Sequence, residues 1–243
     1  PLSKTDGIYI KNNEFSISKN INQKISVSHL DNINNNKYMS TIQDISNSDI
    51  NPFIEMNKKN YSNGIYLQIQ NNTHLTNPIE IKYDIDENKL NSFYNNRLFI
   101  SIGENVSGQI IINEEFPFIG CLNTFVEVFV DQNSSVDIIV LSNKKKMTQV
   151  YNFSSTISKN STLNLFPIDI YGKFIKKNYF IFLKGENSSI NYNSLNLLGD
   201  LNHIDNFIKI NHQNSYTNSN TFHKNILKGN SKSVFYTKAV INQ

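Results

Sequence analysis

Apolar and polar residues alternate along this chain in runs of strand length, and a short polar turn returns between the runs at a nearly constant interval. The turn reads Asn-Ser-Ser or a close variant: Asn105-Val106-Ser107, Asn133-Ser134-Ser135, Asn160-Ser161-Thr162, Asn187-Ser188-Ser189 and Asn214-Ser215-Tyr216. The asparagines are spaced by 28, 27, 27 and 27 residues. Each period holds two runs rich in Ile, Val, Phe and Tyr, for example Val136 to Leu141 and then Thr148 to Phe153. Parity fits these runs and a helical period does not: Thr124, Val126, Val128 and Val130 share one face, with Glu127 and Asp131 on the other. A fixed period with two strands per coil predicts an all-β, right-handed parallel β-helix of stacked two-strand coils, about 27 residues each, because such units bury their apolar faces only against neighbours. Asn and Ser suit its corners, where their side chains bond the turning backbone. The competing fold is an antiparallel sandwich with evenly spaced hairpins.

Residues 1–50 break the rhythm and read as an N-terminal cap with short strands at Ile8-Tyr9-Ile10 and Ile25-Ser26-Val27 and a polar loop over 31–37. Residues 51–243 form the β-helix, opening with a helical turn at Asn51-Pro52-Phe53-Ile54-Glu55-Met56-Asn57, Pro near its start. The first alternating run follows at Gly64 to Gln70, with a corner at Asn71-Asn72 and a second run from Leu75 to Tyr83. A break at Pro117 separates two later runs.

Composition narrows the function. A net charge of +3, from 23 basic and 20 acidic residues, with no stripe of lysines among aromatics, gives no reason to expect nucleic acid. The cluster Lys144-Lys145-Lys146 reads as a solvated turn. No apolar run approaches the roughly 18 residues of a membrane span, and no signal peptide is evident, so the expected location is the cytoplasm. The single cysteine, Cys121, excludes an intrachain disulfide and reads as a small buried hydrophobe. Phosphate-loop, dinucleotide, zinc-protease and nucleophile-elbow motifs are missing, and the adjacent Glu114 and Glu115 point to opposite faces, so no catalytic residue is expected. The densest candidate chemistry lies late in the chain. In a strand, His203 and Asp205 share a face with Lys209, and His212 and His223 follow. Histidine oriented by a carboxylate is a common metal ligand, so His203, Asp205, His212 and His223 are metal candidates, against a plain polar ladder.

Four stretches carry a resemblance. They are Asn51 to Asn57, matching an Asn/His-Pro-Phe-x-x-Leu-Asn pattern; Gly64 to Ile69 with Leu75 to Ile81; Arg97 to Asn105; and His203-Ile204-Asp205-Asn206 through His212, Ser219, His223-Lys224, Leu227 and Val234-Phe235. Together they resemble the SufB/SufD family, non-ATPase scaffold subunits of the SUF iron–sulfur cluster assembly machinery, on its SufD side. The pattern departs from the family at Asn225, where a glycine is usual, and at Tyr236-Thr237, where Asn-Gly is usual. The resemblance implies a non-catalytic scaffold that pairs with SufB and works with the SufC ATPase. It also implies no cofactor bound by this chain alone and an iron–sulfur cluster at the interface with SufB, and against the family pattern the sequence reads as lacking the C-terminal part, a final β-helix segment and a helical domain. The alternative is a secreted β-helix that binds or cleaves polysaccharide.

Overall fold

The computed structural model describes residues 6–11, 14–18, 21–32, 52–84, 92–115, 119–143 and 146–242. Asn51, the break at Pro117, Lys144 with Lys145, and stretch 33–37 of the polar loop lie outside them. The strands form two eight-stranded sheets, and from β4 onward the chain passes alternately between them. The front sheet holds β1 (Asp6–Lys11), β2 (Glu14–Ile17), β5 (Ile79–Asp84), β7 (Ser107–Glu115), β9 (Ser135–Asn143), β11 (Thr162–Ile170), β13 (Ser189–Leu198) and β15 (Asn218–Leu227). Its order is β15-β13-β11-β9-β7-β5-β1-β2. The back sheet holds β3 (Ile25–His29), β4 (Asn63–Ile69), β6 (Ser92–Ile102), β8 (Gly120–Val130), β10 (Met147–Ile157), β12 (Phe174–Leu183), β14 (His203–His212) and β16 (Lys232–Ile241). Its order is β16-β14-β12-β10-β8-β6-β4-β3. From β4 onward every strand pairs in parallel with the one two places on, while β2 and β3 pair antiparallel on the outer edges. This is a parallel β-helix, as the corner spacing predicts.

The interior between the sheets is the core. In β9, Val136, Ile138 and Val140 face it, and across from them stand Val126, Val128 and Val130 of β8, every one almost fully buried. Helix α1 (Pro52–Lys59) starts at its proline and packs on the outside of the back sheet, where Ile54 joins Phe125, Phe180 and Phe182. Asn57 of α1 is fully buried, and its Nδ2 donates to Asn95 Oδ1 and to the carbonyls of Asn96 and Asn123.

The corners show why asparagine recurs. Asn72, Asn105, Asn133, Asn160 and Asn187 all sit in the left-handed region, with φ of 57°, 54°, 58°, 56° and 58°. Asparagine tolerates that conformation better than most side chains. Their amides stack: Asn105 donates to Asn72, Asn160 to Asn133 and Asn187 to Asn160, at 3.0–3.1 Å. The serine that follows turns inward. Ser161 Oγ donates to the carbonyl of Asp131 at 2.6 Å and accepts the Ser134 amide at 3.1 Å, so the buried corner backbone is satisfied by the next coil.

One corner differs from its expectation. Ser189 pairs with Asn218, a step of 29 residues, so the left-handed position of that coil is Tyr216 (φ 58°) and Asn214 falls two residues early. The extra length enters at the opposite corner. Ile170 pairs with Leu197, but Phe174 pairs with His203, so Leu198 to Asn202 holds two more residues than Tyr171 to Lys173 in the coil before. Leu201 is thrust outward there, 78% exposed.

Candidate functional site

The interior carries a seam of polar side chains. On the front sheet, Glu114, Ser142, Asp169, Asn196 and Asn225 are register neighbours on successive strands. On the back sheet the facing column is Asn96, Thr124, Tyr151, Lys177 and Asn206. Its centre is an ion pair. Lys177 Nζ donates to Asp169 Oδ2 at 2.7 Å, and Oδ1 lies at 2.5 Å as a charge contact outside hydrogen-bond geometry. Lys177 is 0% exposed and Asp169 1%, and the ammonium stands 5.0 Å from the Tyr151 ring centroid. Glu114 stands two coils before Asp169 in its column; Gln149 Nε2 donates to its Oε2 at 3.2 Å, and Thr124 Oγ1 donates to its Oε1 at 3.3 Å. Burial raises the phenols of Tyr83 and Tyr151, with the Glu114 charge adding to it, and raises Tyr179 and Tyr192, so all four are neutral at physiological pH.

The four metal candidates occupy three places. His203 and Asp205 share the outer face of β14, as parity predicts. His203 lies against the Phe174 ring in a tilted arrangement with centroids 5.3 Å apart, and Asp205 pairs with Lys176 at 2.7 Å. His223 turns inward from β15. Its Nδ1 lies 2.5 Å from Ser194 Oγ and its Nε2 3.4 Å from Asn196 Nδ2, and its ring stacks on Phe235 at 4.1 Å. His212 bonds Thr217 and Ser219 at the far end of β14. Burial lowers both His212 and His223, against hydrogen bonds that raise them, which leaves both imidazoles neutral above their ordinary 6.5. Among the described residues no three His, Cys, Asp or Glu side chains gather where one metal ion could take them. Cys121 corrects the expectation of a buried hydrophobe: it is exposed, on the outer face at the start of β8, because parity puts Leu122 inward in its place.

The sequence reading missed a second charged pair, on the outer face of the back sheet. Arg97 Nε donates to Glu127 Oε2 at 2.9 Å, its Nη2 stands 2.8 Å from the same oxygen as an ion pair, and its guanidinium lies 5.6 Å from both the Tyr61 and Phe125 ring centroids. Burial raises the Glu127 carboxyl and Arg97 opposes it. Tyr61 is pushed up to about 12 by burial and its bond to Asp31. The seam itself had a signal: Lys177 is in phase with Ile175, Tyr179 and Ile181, all of them buried.

The stacked coils from β6 to β16 coincide with a family match. Residues 85–243 match the model described as SUF system FeS cluster assembly, SufBD core domain. The chain belongs to the SufBD core family. Its role is therefore in SUF iron–sulfur cluster assembly, and the family's β-helix is the architecture seen here. Comparison with curated proteins returns no match. Among the described residues no helix is long and apolar enough to cross a membrane.

Proposed function

We propose that this chain is a SufD-type scaffold subunit that pairs with SufB and works with the SufC ATPase in the cytoplasm, without catalysing a reaction itself. The observation that carries this reading is the SufBD core match, which spans residues 85–243 and takes in the stacked strands β6 to β16. Two further observations support it. The lone cysteine is exposed on the outer face at the start of β8, and among the described residues the four histidine and aspartate candidates are dispersed over three places. In this reading the cluster is the cargo, built where a partner completes the ligands. Within this chain, His223 and His212, both neutral imidazoles, are the candidates to contribute a nitrogen.

Coexpression with SufB and tagged SufC tests the reading. A complex containing all three chains on gel filtration is the expected result. A folded chain that elutes alone beside a SufB–SufC complex would remove the scaffold role. No observation in the fold favours the polysaccharide alternative.

A further inference from the structure

The solvent face of the front sheet is divided lengthwise. Nearest the asparagine corner it is polar, and Asp137, Asn164 and Asn191 form an amide ladder with 2.8 Å bonds. The half nearest the other corner is apolar. Leu141, Ile168 and Leu195 form one register column across β9, β11 and β13, and Ile170, Leu197 and Ile226 form the next. All six point outward; five are half-buried and Ile226 is 52% exposed. The one α-helix among the described residues, α1, lies on the back sheet, so no described helix covers this strip. A contiguous apolar face of this kind on a water-exposed sheet marks an interaction site.

Charge follows the same division. Along the rim of the apolar half, three of four consecutive corners carry a lysine (Lys146, Lys173 and Lys228) and the corner between the last two carries Asp200, with Lys224 of β15 beside Leu195. All four are exposed, and none forms an ion pair with a described residue. The carboxylates facing the same rim are Glu115 and Asp200. Between Lys146 and Lys173 the corner opens into a groove of about 330 Å³ whose apolar walls are Ile119 and Leu201.

Dimensions select the occupant. Strands lie about 4.8 Å apart and side chains on one face recur every 6.6–6.8 Å, roughly, so the strip is about 14 Å long across four strands and one helix diameter wide. A three-turn helix laid along the stack axis covers it and brings one flank against the lysine rim. We propose that this face docks an amphipathic α-helix of a partner protein, apolar on the side that meets β9, β11 and β13 and acidic on the flank that meets Lys146, Lys173 and Lys228. The surface is separate from the interior seam and does not depend on which SUF subunit the chain is.

The test uses the full chain and two fluorescent helical peptides of about five turns, identical on a Leu/Ala face, one with Glu on its flanks and one with Lys. The Glu peptide is expected to bind at least about tenfold tighter, and its binding to slow amide exchange in β9, β11, β13 and β15 alone. The surface variant I168N/L195N, whose circular dichroism and melting should stay those of the parent, is expected to lose at least about tenfold in affinity. K146E/K173E should erase the preference for the Glu peptide. Equal binding of the two peptides, or protection on other strands, would overturn the proposal. So would a concentration-dependent dimer that I168N/L195N abolishes, which gives the face to a second copy. Stronger adsorption to phosphatidylglycerol vesicles than to the Glu peptide would also overturn it, giving the face to a membrane.

Discussion

Lys177 and Asp169 carry opposite charges into a core that their neighbours make apolar, and the two act only as a pair. Removing one partner leaves a buried charge uncompensated, so K177M is expected to cost about 3–5 kcal/mol in urea unfolding, whereas D169L/K177M should recover most of that loss. A double variant as unstable as the single one would show that the pair's surroundings, not its charge balance, set the cost. His223 and His212 give a pH signature. Because burial lowers both below 6.5 in the folded chain, the unfolded chain takes up protons more readily, and acid favours unfolding. Stability is therefore complete above the ordinary histidine value and falls as pH drops below 6.5 toward the folded values. H212N/H223N should flatten that fall between pH 7.5 and 5.5, read as urea midpoints; an unchanged slope would assign it to other groups. At this scale the sequence spoke through parity for Glu114, which shares a face with Ile110 and Ile112, and for His203 beside Asp205. It could not announce the meeting of Lys177 with Asp169 across two sheets, because strand periodicity gives each residue's face and not its partner on the opposite wall.

Corners hold the elements in register, and asparagine is the residue that sets them. N160A places a Cβ-bearing side chain without a local hydrogen bond at φ 56° and removes the amide that both accepts from Asn187 and donates to Asn133. A loss of about 1–3 kcal/mol is expected, and N160G should cost less because glycine adopts the left-handed region freely. The reverse order would mean that the ladder, not the backbone conformation, dominates. Gly185 is a stricter position: a Cβ there would lie 1.9 Å from the Lys159 amide nitrogen, so G185A must move backbone in the preceding corner. The five-corner pattern was legible at four of its five positions. It failed at Asn214 because the chain is rich in asparagine, and a two-residue gain in a distant corner shifted the frame without changing the spacing of the letters. Cys121 failed for a related reason: residue type suggested burial, and only the parity of β8 decides that Leu122 takes the inner place.

Over the whole molecule, each strand leans on the coil before it and the coil after it, so protection should be graded along the stack. Amide exchange is expected to be slowest in β8 to β12, where both neighbours are present and the interior is sealed. It should be fastest in β15 and β16, where Phe222, Val234, Tyr236 and Ile241 are about half exposed or more. Uniform protection would argue for one cooperative unit in place of a graded array. The fold class was legible at this scale because the period survives loss of any single corner. The docking strip was not, since its apolar columns become neighbours only when coils stack. The bulged corner at Gly199 to Asn202 carries a lesson about how such a chain can change length. Two residues were accommodated there without disturbing the strands on either side, while one residue gained or lost inside β10, β12 or β14 would swap lining for exterior along the remainder of that strand. Insertions and deletions in kindred chains should therefore collect at the bends, and the rod can grow new surface relief at its edges while its bore stays unaltered.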